Sequence, residues 1–69
     1  MYPNLNAEIA RAGLSQKRLG ELIGMKTTTL WNKLTGRTQF YISEAYAIKE
    51  VLEKELHTEF TVDYLFRRY

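Results

Sequence analysis

The stretch Leu14-Ser15-Gln16-Lys17-Arg18-Leu19-Gly20-Glu21-Leu22-Ile23-Gly24-Met25-Lys26-Thr27-Thr28-Thr29-Leu30-Trp31-Asn32-Lys33-Leu34-Thr35-Gly36 decides the fold. Apolar residues recur at helical spacing on both sides of a break, with Leu19, Leu22 and Ile23 before Gly24 and Leu30 and Leu34 after it. Ser15 offers an oxygen that can cap a helix from Gln16 to Ile23, and Gly24 stops that helix. A second helix is predicted from Thr27 to Leu34, ending at Gly36, and its three threonines suit a first turn where hydroxyls can accept orphan N–H bonds. Two such helices joined by a three-residue turn containing glycine have the pattern of a helix-turn-helix. Gly20 is expected where the two helices cross most closely and Gly24 at the sharp reversal, with Leu19, Ile23, Met25, Leu30 and Leu34 locking the pair.

Working outward, the upstream residues predict a helix from about Leu5 to Ala12, with Asn4 as N-cap after Pro3 and Gly13 as its end. Downstream, Arg37 to Ile42 reads as a loop, within which Gln39 to Ile42 is the only piece with strand-like alternation. Ser43 is expected to cap a longer helix to about Leu56, with Ala45, Ile48, Val51 and Leu52 inward and the pairs Lys49/Glu53 and Glu50/Lys54 outside. Residues His57 to Glu59 break it. Thr61 then caps a short helix from Val62 to Arg67, whose Val62, Leu65 and Phe66 face inward and whose arginines suit its C-terminal dipole. The expected fold class is all-α, a compact five-helix arrangement in one domain over residues 1–69.

Length and composition agree with that reading. Sixty-nine residues with 45% hydrophobic side chains suffice for one small domain, which must build its core economically. No cysteine is present, which excludes disulfides, thiolate metal sites and cysteine nucleophiles. No apolar run approaches a membrane span of about 18 residues, and the start Met1-Tyr2-Pro3-Asn4 does not read as a leader, so a cytoplasmic protein without membrane contact is expected. Catalysis is not expected, since His57 is the only histidine, Ser15, His57 and Asp63 lack nucleophile-elbow context, and Glu50, Glu53 and Glu59 read as a solvated face. No cofactor or metal is expected.

The charge, +2 in total, is unevenly placed. Residues 11–37 hold six basic side chains against Glu21 alone, a net of +5, whereas residues 44–63 hold two against six acidic ones, a net of −4. The first half is suited to a polyanion and the second repels one.

In Glu8-Ile-Ala-Arg-Ala-Gly-Leu-Ser-Gln16, in Thr29-Leu-Trp-Asn-Lys-Leu-Thr-Gly36 and in Thr61-Val-Asp-Tyr-Leu-Phe66, the chain resembles the lambda-repressor-like family, in particular phage Cro and repressor DNA-binding domains. The resemblance implies a third helix laid in the major groove of double-stranded DNA, commonly as a two-fold dimer on a pseudo-palindromic operator. It implies base contacts from Lys26, Thr27, Thr28 and Asn32 with Trp31 at their edge, and phosphate contacts from Gln16, Lys17, Thr35, Arg37 and Gln39. Each residue type suits its role: Asn32 can pair with adenine at two points, Lys26 can donate to guanine, and threonine methyls can meet thymine methyls. Two departures stand out. Lys33 occupies a position that is usually apolar in the family, with Leu34 beside it taking the packing role, and the segment from Glu53 to Thr58 lengthens the fourth helix and lacks its usual closing glycine.

Other readings of these residues stay open. Trp31 can pack over neighbouring side chains instead of touching DNA, the threonines can serve as caps, and Lys17 and Arg18 can form an ordinary solvated face. The stretch 60–69 holds four aromatics, more than a two-turn helix buries, so Phe60, Tyr64 and Tyr69 are expected at a weak homodimer interface. Function is therefore expected to be that of a Cro-like transcriptional regulator of a bacterial cell or phage-infected host, the shortness of the chain favouring Cro over longer repressors. The alternative is a protein-interaction module of the same fold, acting on another repressor or as an antitoxin-like partner, for which the acidic fourth helix speaks.

Overall fold

Capping chemistry, followed along the chain, sets most of the helix ends. In the computed structural model, which describes residues 2–68, helices form at Pro3–Arg11 (α1), Gln16–Ile23 (α2), Thr27–Leu34 (α3), Ile42–Leu56 (α4) and Val62–Leu65 (α5), with no strand among the described residues. For α2 and α3 the predicted limits hold. Ser15 Oγ accepts the Arg18 N–H at 3.0 Å, and Gly24, at φ +73°, turns the chain so that the Met25 N–H reaches the Gly20 carbonyl at 2.7 Å. The threonine hydroxyls, however, do not cap α3, whose N-cap residue is Lys26 with no side-chain bond.

Other ends differ from expectation. The first helix starts earlier, with Pro3 in its first turn, where a missing N–H and a fixed φ cost nothing, and Tyr2 at the N-cap. Asn4 thus lies inside α1, and its side-chain amide donates to the Tyr64 carbonyl at 2.9 Å. Ser43 is not the cap of α4: the helix starts at Ile42 behind Tyr41, whose N–H donates to the Glu44 carboxylate at 2.8 Å. At the other end His57 adopts φ +52° and takes the left-handed position that a glycine would fill. Thr61 caps α5 by accepting the Tyr64 N–H at 3.0 Å, but α5 stops at Leu65, short of the predicted Arg67, because the backbone leaves the helical region at Phe66.

These helices are too short to persist alone and are held by shared burial. Leu5, Leu19, Leu30, Ile48, Leu52 and Leu65, drawn from all five helices, are fully buried, and each contributes about 1.5–3 kcal/mol of burial. α2 packs on α3 and α4, while α1 packs on α5 and α4. Tyr2, Phe40 and Phe66 add a triangle of edge-on rings with centroids 5.1 to 5.8 Å apart, which joins the two ends of the described chain to the loop before α4. Val51, Val62 and Phe66 are only partly buried, and Leu22 lies exposed, because its position on α2 turns away from α3 and α4.

The space at Gly20 is limited by something other than the helix crossing. A Cβ there would stand 2.6 Å from the Met25 carbonyl oxygen, while the nearest atom of α3, a Leu30 methyl, lies 3.9 Å away. It is the backbone of the turn, folded back on α2, that leaves no room.

Candidate nucleic-acid interface

The residues of α3 divide by helical geometry into two opposite faces. Leu30, Lys33 and Leu34 are buried, and Thr28, Trp31 and Asn32, continued by Thr35 past the helix end, form the opposite stripe at i, i+3, i+4 and i+7. Thr28 and Trp31 are exposed, Asn32 and Thr35 half-buried, and Thr27 is exposed beside them. The Asn32 carbonyl accepts the Arg37 N–H at 2.9 Å, while its side-chain amide has no hydrogen-bond partner among the described residues. Both of its amide functions are thus available for a planar ligand such as a base edge.

Cations flank this stripe instead of occupying it. Lys26 is exposed at the N-cap, and Gly36, at φ +87°, returns the chain so that the Arg37 guanidinium sits over the Trp31 ring, 5.3 Å from its centre. Lys33 does not belong to the basic surface. It is 7% exposed, its Nζ meets Glu44 Oε1 at 2.5 Å, and it lies over the Tyr41 ring at 4.5 Å. The inward position is therefore shared by Lys33 and Leu34, both buried, and Leu34 has not displaced its neighbour. The pair also fixes the state of Glu44: burial pushes its carboxyl up, but the hydrogen bond from Lys33, the Tyr41 N–H and the Lys33 charge outweigh that and hold it below the usual carboxylate range.

Of the expected phosphate contacts, Gln16 and Lys17 are exposed in the first turn of α2, where their N–H groups have no partner within the helix and can meet an anion. Arg18 is exposed and only loosely paired with Glu21, at 3.7 Å. Gln39 is exposed and shares a shallow cleft with Thr29, Asn32 and Thr38. Thr35 differs, because its hydroxyl already donates to the Trp31 carbonyl at 2.9 Å and to the Asn32 carbonyl at 3.2 Å, which leaves it only as an acceptor.

The aromatics of the C-terminal stretch turn inward more than expected. Tyr64 is 37% exposed, its ring stacks on Phe60 at 6.1 Å, and its hydroxyl donates to Glu8 Oε2 at 2.8 Å. Phe60 is half-buried against the core, its N–H donating to Glu53 Oε2 at 2.9 Å, and Tyr69 lies outside the described residues. The most exposed of the large apolar side chains are instead Tyr41 (71%) and Ile42 (67%), at the start of α4, which the sequence reading did not single out. Glu8 is buried, with Arg11 Nε 3.1 Å from its other oxygen, and sequence spacing gave no sign of it.

Among the described residues no three His, Asp or Glu side chains gather as a metal ion requires, and no helix is long and apolar enough to cross a membrane. No protein-family model, curated protein or solved structure matches the chain.

Proposed function

We propose that the chain is a sequence-specific double-stranded DNA-binding regulator of the lambda-repressor-like helix-turn-helix type, acting as a Cro-like repressor. The observation that carries this reading is the outer stripe of α3: uncharged hydrogen-bonding side chains at Thr28 and Asn32, set between exposed cations at Lys26 and Arg37 and held by a buried opposite face. Such a stripe suits base edges, while the flanking cations and the open N–H groups of α2 suit phosphates on either side. On this reading α3 enters the major groove, Asn32 takes adenine, Lys26 takes guanine, and Gln16, Lys17, Arg37 and Gln39 hold the backbone. The protein then works in the cytoplasm of a bacterial cell or phage-infected host, as a weak homodimer on a pseudo-palindromic operator.

Selection of bound sites from a random duplex pool tests the reading, followed by titration at several salt concentrations. A recovered consensus with two inverted halves, and a log–log salt slope of roughly −0.9 for each phosphate neutralised, is expected. Sedimentation with the selected duplex gives the stoichiometry. Absence of both consensus and salt slope would favour the protein-interaction alternative.

A further inference from the structure

The exposed face of α3 carries no charge of its own. Lys33, the one ionised residue within the helix, is buried against Glu44, and Thr28, Trp31, Asn32 and Thr35 are neutral. A cation reaches the stripe from beyond the helix end. Gly36 reverses the chain, the Asn32 carbonyl captures the Arg37 N–H at 2.9 Å, and the guanidinium comes to rest over the Trp31 ring. The backbone bond fixes where the Arg37 side chain begins, and the indole fixes where it ends.

Attraction to an aromatic face engages the charge of a guanidinium but none of its N–H donors. Arg37 forms no salt bridge with the described residues, so those donors face no competing carboxylate. An arginine free to swing loses rotamer freedom when it grips a phosphate, and one already held loses less.

We propose that Trp31 is a positioning residue for Arg37, not a reader of bases, and that the two side chains form one binding unit for a single DNA backbone phosphodiester beside α3. This rests on α3 being the DNA-contacting helix.

The test is anisotropy titration of a labelled random-sequence duplex at several salt concentrations. The proteins compared are the full chain, Arg37→Ala, Trp31→Leu, Trp31→Phe and the double variant Trp31→Leu/Arg37→Ala. Arg37→Ala should lower the magnitude of the salt slope by about 0.9. Trp31→Leu should weaken random-duplex binding roughly two- to five-fold, the range expected for an exposed cation–π contact. The double variant should bind like Arg37→Ala alone, and Trp31→Phe should keep most of the affinity, since a ring remains. Melting curves accompany each variant, and Trp31→Gln replaces Trp31→Leu if the latter unfolds. Losses that multiply in the double variant, or a Trp31→Leu protein with unchanged random-duplex affinity, would overturn the coupling while leaving the DNA reading intact. A wild-type chain with no salt-dependent duplex binding would overturn both.

Discussion

The Tyr64 hydroxyl donates to Glu8 Oε2 at 2.8 Å, so that one oxygen of a carboxylate buried in α1 is satisfied from α5, fifty-six positions along the chain, while Oε1 makes no hydrogen bond among the described residues. Arg11 stands on the other oxygen at 3.1 Å. A buried acceptor that loses its donor retains its desolvation cost, so Tyr64→Phe should destabilise the fold by about 1–3 kcal/mol. In a chain of this size that lowers the thermal midpoint by several degrees, on the order of 4–8 °C per kcal/mol. Circular dichroism melting measures it, and an unchanged midpoint would mean that Glu8 finds water or another donor.

Gly20→Ala provides a second test of packing. In an open helix the change would stabilise by up to about 1 kcal/mol. Here the new Cβ meets the Met25 carbonyl oxygen at 2.6 Å, so overpacking of about 1–3 kcal/mol should dominate. Gly24→Ala has open space around it but φ +73°, and should cost about 1–2 kcal/mol through backbone strain alone. Chemical denaturation of both variants distinguishes the causes: Gly20→Ser should fail as Gly20→Ala does, whereas Gly24→Asn should be milder than Gly24→Ala.

Acid should weaken the fold in a defined window. Glu44 is held below the usual carboxylate range as described, and so is Glu53, by the Phe60 N–H first and then by Lys49, whose Nζ lies 3.1 Å away. Both carboxyls are charged more readily in the folded chain, so their contribution is whole above the unfolded value of about 4.3 and is lost as pH falls through the folded values. The melting midpoint should be level down to about pH 5 and fall below it, and Glu44→Gln should start lower and fall less steeply. An equal fall in wild type and Glu44→Gln would remove Glu44 from the cause.

Asn32→Ala and Gln16→Ala should separate reading from holding. Asn32→Ala is expected to cost about 1–3 kcal/mol on the selected operator, to relax one base pair, and to leave random-duplex affinity nearly unchanged. Gln16→Ala should weaken operator and random duplex alike, because a phosphate contact carries no sequence information. Equal losses from Asn32→Ala on both duplexes would reassign it to the backbone.

The pair α2–α3 was legible because its signals are local: Ser15, Gly24 and the leucine spacing act within a turn or two of where they stand. The start of α1 is not legible, for the opposite reason. Asn4 is a good N-cap by type, but it is used by Tyr64, sixty residues away, and Tyr2 is drawn into the core by Phe40 and Phe66. Lys33 enters the basic count of residues 11–37, and nothing near it in sequence reveals Glu44 as its partner. The exposed candidates Lys26, Thr27 and Thr28 come from the resemblance to the lambda-repressor-like family and not from spacing, and the return of Arg37 over Trp31 depends on the turn at Gly36, of which spacing gives no sign.

The meeting of Tyr2 with Phe66, 5.8 Å between ring centres, also constrains when the protein can exist during its own synthesis. The α2–α3 pair can form as soon as it emerges from the ribosome, but Leu5 and Ile9 of α1 have no complete site to enter until Leu65 and Phe66 follow. At about 5–20 residues per second, synthesis of residue 66 follows that of the end of α1 by roughly 3 to 11 seconds, during which part of the cover for its apolar face does not exist. A chain that lacks residues 65 and 66 therefore leaves the inner face of α1 without part of its cover.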